Sequence, residues 1–231
     1  MKKKLEILMA VVLLLVACIF AKEGAVIVES ARAEKGDKKT CIVVDAGHGG
    51  ADPGKVGING AEEKTINLQI ALKLKKLLES EGMEVVLTRT EDGGLYEEGA
   101  SNKKVADMRK RCEIITKADP VFTISIHQNS YPEEYVKGAQ TFYYGKSQEG
   151  KELAEVIQNS MIEHLDKENH RTAKANESYY LLKRTPSPTV IVECGFLSNS
   201  QEAALLISEE YQEKVAWAVH MGILQYLNLK K

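Results

Sequence analysis

The chain has 231 residues, with 31 Lys and Arg against 33 Asp and Glu, a formal net charge of −2. Hydrophobic content of 44% and charged content of 28% exclude a disordered chain, a collagen-like repeat and a polytopic membrane protein. The near-balance of signs argues against a dedicated nucleic-acid binder, which needs a basic face.

Lys2, Lys3 and Lys4 precede an uncharged apolar run over residues 7–21. A basic start and about 15 apolar residues have the form of a secretory signal or a short membrane anchor. At about 1.5 Å per residue the run spans roughly 22 Å, short of a hydrocarbon core near ~30 Å, which favours the signal. Leu15-Val16-Ala17-Cys18 adds a lipoprotein-box reading, although the run continues past Cys18, and Ala31-Arg32-Ala33 offers a cleavage site downstream. Residues 1–21 hold three Lys and one Glu, so the remainder carries −4 where the whole chain carries −2. This predicts a mildly acidic body exported behind a basic leader that stays on the cytoplasmic side. Residues 22–39 read as a polar tether and residues 40–231 as the folded domain. Three cysteines remain there, Cys41, Cys112 and Cys194; an odd number completes no disulfide framework, and no C-x-x-C pair marks a structural zinc site.

Residues 41–45 are a short apolar run entering a Gly-rich loop, the pattern of a buried strand. From 63 to 81, Ile66, Ile70, Leu74, Leu77 and Leu78 recur at helical spacing, and Gly82 closes the helix. Residues 84–88 predict a second strand, followed by a polar loop to about 103 and a helix through Met108, Cys112 and Ile115. Strands are expected over 121–126 and 140–144, then an amphipathic helix over 147–166 with Leu153, Val156, Ile157, Ser160, Met161 and Leu165 along one side. A short strand over 179–182, another over 189–193, and helices filling 202–227 complete the reading. Such alternation predicts a three-layer α/β fold: a twisted, mostly parallel sheet with helices on both faces.

In these folds ligands collect beyond the carboxyl ends of the strands, and the reactive side chains fall there. His48 follows the first strand, His127 follows the strand 121–126, and Glu193 closes the strand 189–193. Glu63 begins the first helix, where the dipole favours a carboxylate by about 0.3–1 kcal/mol. Two imidazoles and a carboxylate are a catalytic zinc ligand set with the fourth position left for water, and a second carboxylate nearby can shuttle the proton. On this picture His48, Glu63 and His127 hold the metal and Glu193 is the base, with Glu62 competing for the place of Glu63. Each residue also has a structural reading: a turn histidine at 48, a hydrogen-bonded strand-end histidine at 127.

Six segments, VVDAGHGGADPG (43–54), EKTINL (63–68), VVLTRTED (85–92), ISIHQNS (124–130), GAQTFYYG (138–145) and VIVECGFLSN (190–199), span almost all of residues 41–227. In this order the sequence resembles the zinc-dependent N-acetylmuramoyl-L-alanine amidases of the type 3 class. The resemblance implies a zinc-exopeptidase-like fold and one Zn2+ held by His48, Glu63 and His127. It makes Glu193 the catalytic carboxylate and residues 40–231 the catalytic domain. Lys64 and Asn67-Leu68 fix the register that selects Glu63 over Glu62; Ala46 departs from many relatives, which have Pro there. Within the family, GAQTFYYG, VECGFLSN and the short leader look most like sporulation amidases that strip stem peptides from cortex peptidoglycan on the route to muramic-δ-lactam. Resemblance to that branch, some clostridial members of which use a lipoprotein partner, implies such a partner here. The implied enzyme is exported, secreted or membrane-anchored, and faces the cell wall or cortex.

Other residues carry two readings each. Asn67, one turn after Glu63, orients that ligand or caps polar surface; Arg89 holds a substrate carboxylate or makes a surface ion pair; Asn129 binds substrate or shapes a loop. His164, His170 and His220 read as structural or surface residues. The loop 91–104 and the basic stretch 170–174 are candidates for substrate selection or for docking an activating protein. Two competing functions stay open: a cysteine hydrolase using Cys194 with His127, which the opposite sheet face expected for Cys194 counts against, and a non-catalytic, membrane-tethered wall- or partner-binding module.

Overall fold

The computed structural model describes residues 39–230, so the leader, most of the tether and their cleavage or lipidation readings lie outside the described residues. Six strands form one sheet: β1 (Cys41–Ala46), β2 (Glu84–Leu87), β3 (Phe122–Asn129), β4 (Gln140–Tyr143), β5 (Lys174–Ala175) and β6 (Thr189–Phe196), in the order β2-β1-β3-β6-β4-β5. The first four in that order run parallel; β4 is antiparallel to β6. β1, β3 and β6 are covered on both sides, which is why they read as near-continuous apolar runs.

The helices are α1 (Glu63–Ser80), α2 (Lys103–Ala118), α3 (Gln148–His164), α4 (Tyr180–Arg184), α5 (Ser200–Leu206) and α6 (Glu209–Leu229). Strand alternation divides the interior. Ile42, Val44 and Ala46 of β1, Phe122, Ile124 and Ile126 of β3, and Val190, Val192 and Cys194 of β6 meet the apolar stripes of α1, α3 and α6 in the main core. The intervening residues face α2 and α4, where Val43 packs with Ile115 and Leu181. On that face the sheet is only partly apolar, and its polar half is the site.

The expected three-layer, mostly parallel architecture is present, with local corrections. Residues 179–182 form no strand: Tyr179 caps α4, and the adjacent Leu181 and Leu182 serve two separate apolar clusters. An apolar pair inside so short a segment carries no period that separates strand from helix. β5 is an addition to the expected strands, because a two-residue edge strand of exposed Lys174 and Ala175 has no apolar signature. β3 and β6 each run three residues past the expected ends, so His127 and Glu193 lie inside paired strands. Among the described residues, no helix is long and apolar enough to cross a membrane.

His220 on α6 is 3% exposed, and neither ring nitrogen has a hydrogen bond. Burial holds its pKa below the usual 6.5, with Glu81 pulling the other way. Between the two values the unfolded chain binds more protons, so this group's contribution is present above about 6.5 and lost as pH falls below it. Melting curves at pH 7.5 and pH 5 should show His220→Leu losing less Tm on acidification than the wild type; an unchanged difference would contradict this account.

Candidate metal centre

The chain leaves β1 through Gly47, His48, Gly49 and Gly50. His48 adopts φ 62°, a left-handed conformation that costs a non-glycine residue about 1–2 kcal/mol. Several contacts hold it there. His48 Nδ1 lies 2.9 Å from Asp52 Oδ2, and the His48 carbonyl accepts from Arg111 Nη2 at 2.6 Å. This leaves Nε2 aimed at Glu63 Oε1, 3.2 Å away. Glu63, the first residue of α1, is 2% exposed and brought to the turn by backbone: its Oε2 accepts from Lys55 N at 2.8 Å, and its Oε1 from Gln128 N at 3.1 Å. On the far side His127 Nδ1 stands 2.9 Å from the same Oε1.

Two glycines make this convergence sterically feasible. A Cβ at Gly47 would sit 2.3 Å from the His127 ring, and one at Gly54, where φ is +69°, would sit 2.5 Å from Glu63 Oε2. The histidine rings meet edge to face at 4.9 Å. One donor atom each from His48, Glu63 and His127 lies within 4.8 Å of the others, a group that could hold a metal ion. Despite burial, the two imidazoles hold the Glu63 carboxyl well below the usual range, and Glu63 in turn raises the His127 pKa against desolvation.

His127 and Glu193 are direct partners in the β3–β6 register, so both side chains leave the same sheet face as neighbours. Glu193 is 7% exposed, and its Oε2 has no hydrogen-bond partner. Burial pushes its carboxyl up to about 7 against the pull of the His127 and His48 rings. The Tyr179 side chain hydrogen-bonds to Glu193, and its own pKa is raised to about 12, chiefly by burial.

Beneath the turn lies a buried polar frame that the sequence does not announce. Arg111, almost fully buried on α2, donates to Asp45 Oδ1 at 2.6 Å, to the Ala46 carbonyl at 2.7 Å and to Asp107 Oδ2 at 2.5 Å. Asp45 also accepts from Thr88 and Ser125, and its carboxyl is lowered to about 2: Arg111 and these hydroxyls outweigh its burial. Arg89 belongs to the same frame, which corrects both of its expected roles. Its guanidinium, in a residue 5% exposed, is taken up by the carbonyls of Ala46, Gly47, Lys64 and Glu91, leaving no arm for a substrate or a surface ion pair. The signal that could have found the frame is an Asp inside an otherwise apolar strand and an Arg at the buried period of a polar helix.

The remaining candidates separate clearly. Asn67 is fully buried and holds the Gly47 carbonyl at 3.1 Å, Glu63 Oε1 at 3.3 Å and, through its own oxygen, Gln128 Nε2 at 3.1 Å; it caps no surface. Asn129 lines the cleft at a β3 irregularity, and its side chain accepts from Ser130 N at 2.8 Å. Cys194 is fully buried in the main core, on the face opposite Glu193, and burial pushes its thiol pKa far up. A thiol so placed is no nucleophile for His127, which removes the cysteine-hydrolase reading; alkylation of the folded enzyme should leave its activity unchanged. Asp52, Gln128 and Tyr179, absent from the expected set, all line the cleft.

His48, Glu63, His127 and Glu193 open onto one cleft of about 790 Å³ between the turn, α2 and α4. Residues 42–225 match the model of the N-acetylmuramoyl-L-alanine amidase family. The germination-specific N-acetylmuramoyl-L-alanine amidase of Bacillus subtilis is 38% identical over 192 residues, covering 82% of this chain and 80% of that protein. Among solved structures, the CwlD amidase of Clostridioides difficile, determined in complex with the GerS lipoprotein, matches with a TM-score of 0.81 at 43% identity over 83% of this chain and 100% of that one. The catalytic domain of CwlV from Bacillus (Paenibacillus) polymyxa matches with a TM-score of 0.69 at 31% identity, over 82% of this chain and 98% of that one. Similarity that runs through the whole domain, cleft segments included, makes the chain a member of the N-acetylmuramoyl-L-alanine amidase family, an amidase acting on peptidoglycan.

Proposed function

We propose that the enzyme is zinc-dependent and cuts the amide between the lactyl group of N-acetylmuramic acid and L-alanine, in spore cortex, on the route to muramic-δ-lactam. The observation that carries the zinc reading is the His48, Glu63 and His127 group within 4.8 Å, with the unpartnered oxygen of Glu193 on the adjacent strand. The donor set fits the ion: two imidazoles and one carboxylate, each carboxylate oxygen already oriented by a backbone N–H, match catalytic zinc sites that keep one position open. Zinc bound there would polarise the scissile carbonyl and make hydroxide available near neutral pH.

The remaining chemistry belongs to side chains. Glu193, with a carboxyl near 7, is matched to a proton carrier: it takes a proton from the attacking water and delivers it to the departing nitrogen of L-alanine. The Tyr179 hydroxyl beside it fixes its orientation. Asn67 and Gln128 keep Glu63 in register.

The cortex role draws on similarity to a germination-specific enzyme and to CwlD. The structure of CwlD with a lipoprotein supports a lipoprotein partner here as well. With residues 1–21 as signal or anchor and 22–39 as tether, residues 40–231 act as the catalytic domain outside the membrane. Elemental analysis of the purified chain, kept from chelators, should find about one zinc per molecule, lost together with amide hydrolysis in His127→Ala. A folded wild type without metal or turnover would favour the binding-module reading.

A further inference from the structure

The cleft has a basic wall that the hydrolytic chemistry leaves unused. Lys55, Lys103 and Lys104 line the same opening as Glu63, His127 and Glu193. All three side chains are exposed, and among the described residues none closes an ion pair. Lys55 follows directly from the site, since its own N–H donates to Glu63 Oε2 at 2.8 Å. Lys103 and Lys104 open α2, one turn before Asp107 and two before Arg111, the residue that grips the His48 carbonyl. The Lys103 ammonium stands 5.3 Å from the centre of the Tyr96 ring, whose hydroxyl accepts from Ala51 N at 3.0 Å.

The cleft acids Asp52 and Glu63 have nearer partners than these lysines. Asp52 is held by His48 at 2.9 Å, with Lys104 a weaker attraction on it, and Glu63 lies between both imidazoles. Free ammonium groups at the rim of a reaction cleft suit an anionic part of the substrate. The stem peptide supplies one. Its second residue, D-glutamate, continues the chain through its side-chain carboxyl and so leaves its α-carboxyl free. That group lies one residue beyond L-alanine, at most about 7 Å from the scissile nitrogen, within a lysine's reach of the same cleft.

We propose that Lys55, Lys103 and Lys104 form the stem-peptide subsite and select substrate by the α-carboxylate of its D-glutamyl residue. The proposal rests on the amidase reading above, in which the L-alanine nitrogen faces Glu193. Tetrapeptide-bearing muropeptides with that carboxylate free, or converted to the amide, are the probes. Binding is measured to the full chain carrying Glu193→Gln, so that no turnover is required. The carboxylate form should bind roughly five- to tenfold more tightly at low salt, as expected for two or three solvent-exposed ion pairs, and the preference should shrink at about 0.5 M salt. Lys103→Gln/Lys104→Gln, and Lys55→Gln, should weaken the carboxylate form while leaving the amidated form unchanged, bringing the two together. Equal binding of both probes, or a preference that survives all three lysine substitutions, would overturn the subsite. If the chain holds no zinc and the wild type cuts neither probe, the hydrolase reading fails by itself, and the binding preference still decides the subsite.

Discussion

Glu193→Gln is expected to lower kcat on muropeptides by about 10²–10⁴-fold, the range over which a positioned acid–base group acts. The amide conserves volume and hydrogen-bonding reach but cannot accept and return a proton. Zinc content should stay at about one per chain, because the metal donors proposed are His48, Glu63 and His127, and Glu193 reaches the cleft from the next strand. KM should change little, since the carboxylate acts on the reacting atoms and its residue is 7% exposed at the base of the cleft. The readout is therefore a split: turnover lost, metal and substrate binding kept. Loss of zinc together with activity would make Glu193 a ligand, and ordinary turnover would remove it from the chemistry.

The position of Glu193 is legible in the sequence, and the reason is geometric. Val190 to Glu193 and Ile124 to His127 are apolar runs ending in one chemical residue, and a parallel sheet delivers such ends to a common edge. His48 is legible because glycines flank it, and Gly47 indeed faces the His127 ring with no room for a Cβ. What stays hidden depends on contacts between residues far apart in sequence. Arg111 is separated by 66 residues from Asp45 and by 63 from the His48 carbonyl it holds, and only its place at the buried period of a polar helix sets it apart from a solvated arginine. Arg89 misleads for the same reason: its partners are backbone carbonyls, which leave no trace in composition. Tyr179 has the sequence surroundings of a strand, although it sits at the head of a five-residue helix and points its hydroxyl at the base.

Arg111→Met should cost about 3–5 kcal/mol of stability, because it strands charges that the wild type pairs. Asp45, 1% exposed, would keep its two hydroxyl donors but lose its cation, and Asp107 would lose a 2.5 Å partner. In a domain of this size the loss corresponds to a Tm lower by roughly 6–20 °C. The pH dependence should change as well. In the wild type the Asp45 carboxyl is depressed from 3.8 to about 2, so its contribution is complete above about 4 and lost as pH falls through about 2. Without Arg111 burial dominates, the folded pKa rises above the unfolded one, and protonation of Asp45 then favours the folded state. The disadvantage of Arg111→Met should thus shrink as pH falls, first as the variant's Asp45 takes up a proton and further once the wild type loses this group toward about pH 2. Adding Asp45→Asn should recover part of the lost Tm at pH 7, since it removes the stranded charge and keeps hydrogen-bonding groups for Thr88 and Ser125. Equal Tm for the single and double variants would mean that the loss comes from the freed carbonyls of Ala46 and His48, and that the turn, rather than the Asp45 charge, is what Arg111 principally holds.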